Sequence, residues 1–385
     1  MLIKELVKKN IHIYNFGMQA RHHNMNRKIL ELSNETSKMD LSAPIESYID
    51  VKQRMNEFYK KTNRLFTYEC PYAESLHYGH LDALLDYGEL SNSEALYMPI
   101  IEHGLMLDNM VRGEHLSRIY AGPYRKHIIH GNKPYMPAFC IGPYIHYAKP
   151  FYDLNKTEMI KKQYGKTLLI MPQHTFEGGH AEYNSRRFVE DILKKYSSKF
   201  DTVMACLYWN DFDSHLYKAL ISFDIKIVSA GFRFDKQFLK RLKTILEISD
   251  FVVGNSIGSH IGYCLQMGKP FDYLESDILN CGQPFNSKPT DQIVSAILNN
   301  SVDEQKHRLD SYFGFKHVKT PEEIKAIAII GHIIVRNAYG DISKWQMGVQ
   351  KTLKQLKEFR TEKENALLYY NLLRNSISDD VKMTV

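Results

Sequence analysis

The sequence is poor in the features that mark several large classes of protein. Its 385 residues include five cysteines (Cys70, Cys140, Cys206, Cys264, Cys281), scattered and without a CxxC pair. A disulfide framework or a zinc site needs a closer pattern, so reduced and mostly buried thiols are expected. Long hydrophobic runs are missing as well. The strongest, Ala326 to Val335, is interrupted by Gly331 and His332, far short of the roughly 20 apolar residues that span a bilayer. The opening Met-Leu-Ile-Lys-Glu has no extended apolar core of the secretory kind, which makes the cytoplasm the expected location. Internal repeats, low-complexity tracts, GxGxxG and Walker A patterns are all absent. The lack of the last two argues against a standard NAD site and a P-loop NTPase.

What remains describes a folded globular chain. Hydrophobic residues make up 44% and charged residues 24%, with a mean hydropathy of −0.38, values that rule out a disordered or collagen-like polymer. The length suits two domains rather than one. The net charge of +6 is unevenly placed: residues 1–65 carry twelve Lys/Arg against seven Asp/Glu, and 344–363 carry six against two. Such edges attract anionic headgroups or phosphorylated substrates, or are simply solvated helix faces. No reading motif or aromatic stacking run accompanies them, so nucleic acid is not an expected partner.

The pattern divides the chain at about 150 and 290. Residues 1–66 read as polar helices, and short strand-like runs follow, the best being Leu96 to Ile101 with Pro99 suited to an edge. It ends in Glu102-His103-Gly104. Ala138 to Ile141 is another short run, and the turn-rich Gly142 to Pro150 reads as a linker. Between 166 and 275 strands and helices alternate. Thr167–Met171, Thr202–Tyr208, Ile225–Ser229, Phe251–Val253 and Pro270–Leu274 are the expected strands. Ser185–Tyr196, Leu216–Ser222, Asp235–Ile248 and Ile257–Met267 are the helices between them. Alternation with short loops implies an α/β, Rossmann-like domain with a parallel sheet covered on both faces. The tail from Thr320 is helical, opened by a capping box and a proline in Thr320-Pro321-Glu322-Glu323.

Ligands of open parallel sheets bind beyond the carboxyl ends of the strands. Here those ends lead into His174-Thr175-Phe176-Glu177, Trp209-Asn210-Asp211, Ser229 to Arg233, and Asn255 to His260. The last is the most informative: Asn255, Ser256, Gly258, Ser259 and His260 form a small-residue turn into a helix, which suits a phosphate. Helix capping and tight helix–sheet packing would explain the same residues. His174, Thr175 and Glu177 can reach a ligand or form an ordinary surface turn. Arg233 can neutralise a diphosphate. Asp211-Phe212-Asp213 spells DxD, so Asp211 is a possible acceptor or metal contact, although the same residues can cap a turn. His103 at a strand tip can act as a general base, with Glu102 orienting it, or it can be a structural histidine.

Three stretches carry a family resemblance: Pro99-Ile100-Ile101-Glu102-His103-Gly104-Leu105, Gly142-Pro143-Tyr144-Ile145-His146-Tyr147-Ala148, and Asn255-Ser256-Ile257-Gly258-Ser259-His260-Ile261-Gly262-Tyr263. Over roughly Leu96 to Leu274 the chain resembles GT-B glycosyltransferases of the bacterial capsule and lipopolysaccharide biosynthesis type. His103-Gly104 is also similar to the His-Gly of teichoic-acid polyol-phosphate transferases, although Glu102 stands where those enzymes usually carry Trp. The resemblance implies two Rossmann-like domains facing a cleft with a helical tail: an acceptor domain (1–150), a nucleotide-donor domain (151–290) and a helical segment (291–385). It implies transfer from a nucleotide sugar to a saccharide or lipid-linked acceptor, inverting, with His103 as base, Glu102 beside it, and neither metal nor other cofactor. The basic edges would hold the enzyme at the inner face of an anionic membrane. Alternatives on the same fold are polyol-phosphate transfer, sugar-nucleotide epimerisation, and a non-catalytic scaffold.

Overall fold

The computed structural model describes residues 10–42, 45–62, 73–91, 93–94, 98–102, 120–122, 137–175, 180–281, 291–359 and 364–377. In chain order the first elements are α1 (Ile11–Arg21), α2 (His23–Thr36), α3 (Ile45–Thr62), α4 (His80–Tyr87), β1 (Ile100–Ile101), β2 (Tyr120–Gly122), β3 (Ala138–Cys140) and α5 (Leu154–Tyr164). Next come β4 (Thr167–Met171), β5 (His180–Glu182), α6 (Ser185–Tyr196), β6 (Thr202–Cys206), α7 (His215–Ser222), β7 (Lys226–Val228), α8 (Phe238–Ile248) and β8 (Phe251–Gly254). The chain continues with α9 (Ser259–Gln266), β9 (Phe271–Tyr273), β10 (Leu279–Cys281), α10 (Asp291–Ile297), α11 (Val302–Phe313), α12 (Pro321–Asn337), α13 (Trp345–Phe359) and α14 (Glu364–Ser376). The protein is mixed α/β. Its described residues fall into two compact units, one drawn from Met1–Arg27, Tyr68–Tyr147 and Asp310–Val385, the other from Lys28–Thr67 and Ala148–Leu309.

The second unit is built on a five-stranded, wholly parallel sheet in the order β7-β6-β4-β8-β9. Its register sets Leu169 beside Met204 on one side and Val252 on the other. Leu168, Leu169, Ile170, Val252 and Val253 are fully buried, as strands covered on both faces require. Gly254 closes β8 where no side chain fits: a Cβ there would stand 2.6 Å from the Met171 carbonyl. Helix α6 begins where Asn184 accepts the Arg187 N–H at 3.0 Å, and it buries Phe188, Val189, Ile192 and Tyr196. Helix α8 buries Leu239, Leu242, Ile245 and Leu246. β5 and β10 pair as a separate two-stranded antiparallel ribbon.

Residues 28–62, which carry most of α2 and all of α3, belong to this unit. Arg241 of α8, with its side chain fully buried, pairs with Asp235 at 2.7 Å and donates to the carbonyls of Ala230 (3.2 Å), Thr36 (2.7 Å) and Met39 (3.2 Å). Ser33 donates to the Phe234 carbonyl at 2.6 Å. Polar contacts therefore fasten α2 and its following turn to the segment after β7.

The first unit holds a three-stranded parallel sheet, β1-β2-β3, of two or three residues per strand, and helices α12 to α14. Within the expected strand Leu96 to Ile101, only Ile100 and Ile101 form β1, and residues 95–97 lie outside the described set. The expected capping box is present on α12, with Thr320 and Glu323 bonded reciprocally and Pro321 in the first turn. Asn337 of α12 donates to Thr352 and Gln355 of α13, each at 2.9 Å. The chain passes from the first unit to the second between Tyr147 and Ala148, inside the stretch expected as a linker, but its first part is buried: Tyr144, Ile145 and Tyr147 lie in the core of the first unit, and the Tyr147 hydroxyl donates to Ile141 while accepting the Lys319 N–H at 2.9 Å. Turn residues there make a compact 3₁₀ turn, and the aromatic side chains between them supply core.

Candidate functional site

In the second unit the chain leaves β4 toward β6 on one side, while β8 leads on to β9 on the other. The order reverses between β4 and β8, and the loops beyond their carboxyl ends frame the position where parallel sheets take ligands. Side chains from the segments after two other strands, β6 and β8, meet on the β4 loop. The Gln173 N–H donates to Asn255 Oδ1 at 2.7 Å. The Thr175 N–H is shared by the two Asp211 carboxylate oxygens at 3.3 and 3.1 Å, and Asn210 Nδ2 donates to Thr175 Oγ1 at 2.9 Å. His174 is exposed, donates from Nδ1 to the Thr175 carbonyl at 2.6 Å, and lies 4.5 Å from the Tyr208 ring.

Asp211 is buried, at 2% exposure. Burial pushes its carboxyl above the ordinary range, against hydrogen bonding from Thr175 and the pull of His174 and Lys52. Lys52 of α3 donates to the Asn210 carbonyl at 2.9 Å and pairs with Asp213 at 2.6 Å. The two aspartates of the DxD therefore serve different partners, Asp211 the β4 loop and Asp213 the Lys52 ammonium. Among the described residues no group of three His, Cys, Asp or Glu side chains gathers as a metal would need.

The turn after β8 has the expected character. Gly258 caps α9 with extended backbone and offers no side-chain bond to the first turn; the Ile261 N–H turns back to the Gly258 carbonyl at 3.2 Å, which leaves the Ser259 and His260 N–H groups without a side-chain cap beside Ser256. A Cβ on Gly258 would stand 3.0 Å from His260 Nδ1. His260 is half-buried and held close to 4, first by burial and then by His174, although its ring is hydrogen-bonded to the Ser256 backbone. The buried Asn255 side chain comes near the Tyr183 phenol, whose hydroxyl donates to the Gln173 carbonyl at 3.4 Å. Tyr183 is pushed up by burial and by the nearby Asp211.

Thus His174, Thr175, Asp211, Asn255, Ser256, Gly258, Ser259 and His260 come together around the β4 and β8 loops. Arg233 lies after β7, two strands from β4, with its guanidinium 4.7 Å over the Phe234 ring. Glu177 and His103 lie outside the described residues. Glu102 follows β1 in the first unit, and its carbonyl accepts the Tyr144 hydroxyl at 2.6 Å. Tyr144 in turn stacks on His80 at 4.2 Å. Gln173, Tyr183 and Lys52 were not singled out from the sequence. Gln173 and Tyr183 flank the chosen loop and were within reach of the strand-end argument, whereas nothing local marks Lys52. No protein-family model matches the chain, and no curated protein sequence matches it.

Proposed function

We propose that the protein is a glycosyltransferase of the GT-B type that moves a sugar from a nucleotide-activated donor to a saccharide or lipid-linked acceptor of a surface polysaccharide. The unit carrying the five-stranded sheet binds the donor, and the other unit binds the acceptor. The observation that carries this reading is the β8–α9 turn, an uncapped helix N-terminus with adjacent serines at the point where the strand order reverses. The acceptor hydroxyl attacks the anomeric carbon, and the bond from that carbon to the phosphate oxygen breaks with its electron pair leaving on the nucleoside diphosphate. The N–H groups of α9 and the hydroxyls of Ser256 and Ser259 stabilise that charge, each well-placed donor contributing about 3 kcal/mol. His103 takes the hydroxyl proton. The site of action is the cytoplasm, at the inner face of an anionic membrane.

Thermal unfolding with CMP, CDP, UDP and GDP, each with and without EDTA, tests the reading. One diphosphate should stabilise selectively, by about 2.7 kcal/mol at roughly 100 times its dissociation constant, and should do so in EDTA. Absence of any shift would refute a nucleotide-dependent enzyme. His103→Ala should keep the shift and lose transfer.

A further inference from the structure

The positive charge at the two edges of the sequence is not equally available in the fold. Along 28–62 part of it is already matched: Arg54 pairs with Glu35 and Asp50, each at 2.7 Å, and Lys52 with Asp213 at 2.6 Å. The stretch 342–357 differs. It holds four lysines and no acidic residue, and the Lys344 and Lys351 ammonium groups lie 5.4 and 5.6 Å from the centre of the Tyr339 ring. Tyr339 is 65% exposed, at a φ of +54° that bulky residues seldom take. Burial does not explain an aromatic ring at that place.

Apolar side chains stand beside this cationic turn. Met347 is exposed one helical turn before Lys351 on α13. Helix α1 starts against the same turn, where Asn10 bridges Asp341 and a Cβ on Gly340 would stand 3.5 Å from His12 Cδ2. One turn apart on α1, Ile13 and Phe16 are 51% and 76% exposed. A Cβ on Gly17 would meet nothing within 4 Å, and α1 contains no acidic residue. All of these residues belong to the first unit. Single apolar side chains projecting from helices, with lysines beside them, suit the boundary between lipid headgroups and acyl chains. A second copy of the chain would bring like charges together on this face, which opposes self-association there.

We infer that this surface, made by α1, the turn at Tyr339 and the start of α13, docks on an anionic lipid bilayer, which rests on the membrane location read above and on none of the transfer chemistry. Phe16 enters the headgroup boundary, and Lys344 and Lys351 lie at the lipid phosphates.

Sedimentation of the full chain with vesicles of phosphatidylcholine, alone or mixed in equal parts with phosphatidylglycerol, tests this. The wild type should bind the mixed vesicles and not the neutral ones, and should release as salt rises. Lys344→Gln with Lys351→Gln should weaken binding about 25-fold, and Phe16→Asn about tenfold. Lys60→Gln with Lys61→Gln, both exposed and in the other unit, should change it less than about twofold. Equal losses from the two lysine pairs would show diffuse charge attraction and overturn the assignment, as would a Phe16→Asn variant that binds like wild type. In Phe16→Trp, mixed vesicles should shift the indole emission to the blue over the buried Trp209 and Trp345. An unshifted spectrum from vesicle-bound protein refutes insertion. Light scattering that shows a wild-type dimer dissociated by Phe16→Asn would reassign the face to a second copy. A wild type that ignores both kinds of vesicle removes the membrane location itself and this surface with it, while nucleotide binding still reports separately on the donor site.

Discussion

Asn255 Oδ1 accepts the Gln173 N–H at 2.7 Å, joining the chain just past β8 to the chain just past β4. These strands are neighbours in the sheet, yet their onward connections run to opposite sides, so no continuing strand pairing holds the two loops together. A buried amide does so instead. The same loop is gripped from its other side by Asn210 and Asp211, which fixes its backbone before any ligand arrives. Such preorganisation lowers the ordering cost of binding.

Asn255→Ala leaves the Gln173 N–H without its acceptor. Loss of about 1–3 kcal/mol of folding free energy is expected, read from urea denaturation. Nucleotide stabilisation should fall as well. A variant that loses stability and still binds nucleotide with full affinity would confine Asn255 to the scaffold.

Asp211→Asn isolates the cost of a buried charge. Because burial raises the folded-state pKa, the folded chain takes a proton before the unfolded chain as pH falls. The stabilisation attached to Asp211 therefore grows as pH falls through the raised pKa, and it is missing at neutrality. The asparagine variant should be at least as stable as wild type at pH 7.5, with its advantage shrinking toward pH 4. A wild type more stable by over about 1 kcal/mol at pH 7.5 would mean that the anionic bond to Thr175 outweighs desolvation.

Arg241→Ala should cost about 3–5 kcal/mol, since Asp235 would keep a buried charge without its partner. Gly231→Ala should destabilise for a related reason: its φ is +105°, and a Cβ would lie 2.8 Å from Arg241 Nη1. Limited proteolysis separates anchoring from general weakening. In Arg241→Ala, cleavage within residues 28–62 should precede cleavage of the sheet, and simultaneous cleavage would remove the anchoring role.

The parallel sheet was legible because its strands are continuous apolar runs, and the helix Ser185–Tyr196 was legible from the spacing of Phe188, Val189, Ile192 and Tyr196. Strand tips located the candidate site for the same reason. Long-range polar attachment was not legible. Residues 1–66 read as helices without a core because Ser33, Thr36 and Met39 meet Arg241 and Phe234 some 200 positions away, and hydrogen bonds to backbone leave no periodic signature. Tyr144 and Tyr147 were hidden by their turn-forming neighbours: glycine and proline report backbone shape, and burial there follows from the tyrosine rings. The state of His260 was likewise beyond sequence, since it depends on how far the fold buries its ring and brings it near His174.

His260 also predicts a pH dependence of folding. Its folded pKa of about 4 lies below the ordinary value of 6.5, so the unfolded chain protonates first as the medium is acidified. Between those values the unfolded state binds more protons, and stability must fall with falling pH. The contribution is fully present above 6.5 and lost progressively toward 4, on the order of 3 kcal/mol at most. Asp211 acts in the opposite direction at the acid end, which places the clearest reading between pH 7 and 5. Urea titrations across that range should show a declining midpoint in wild type and a flatter profile in His260→Phe. Parallel slopes in the two proteins would show that His260 exchanges protons alike in both states, and the depressed folded-state pKa would have to be abandoned.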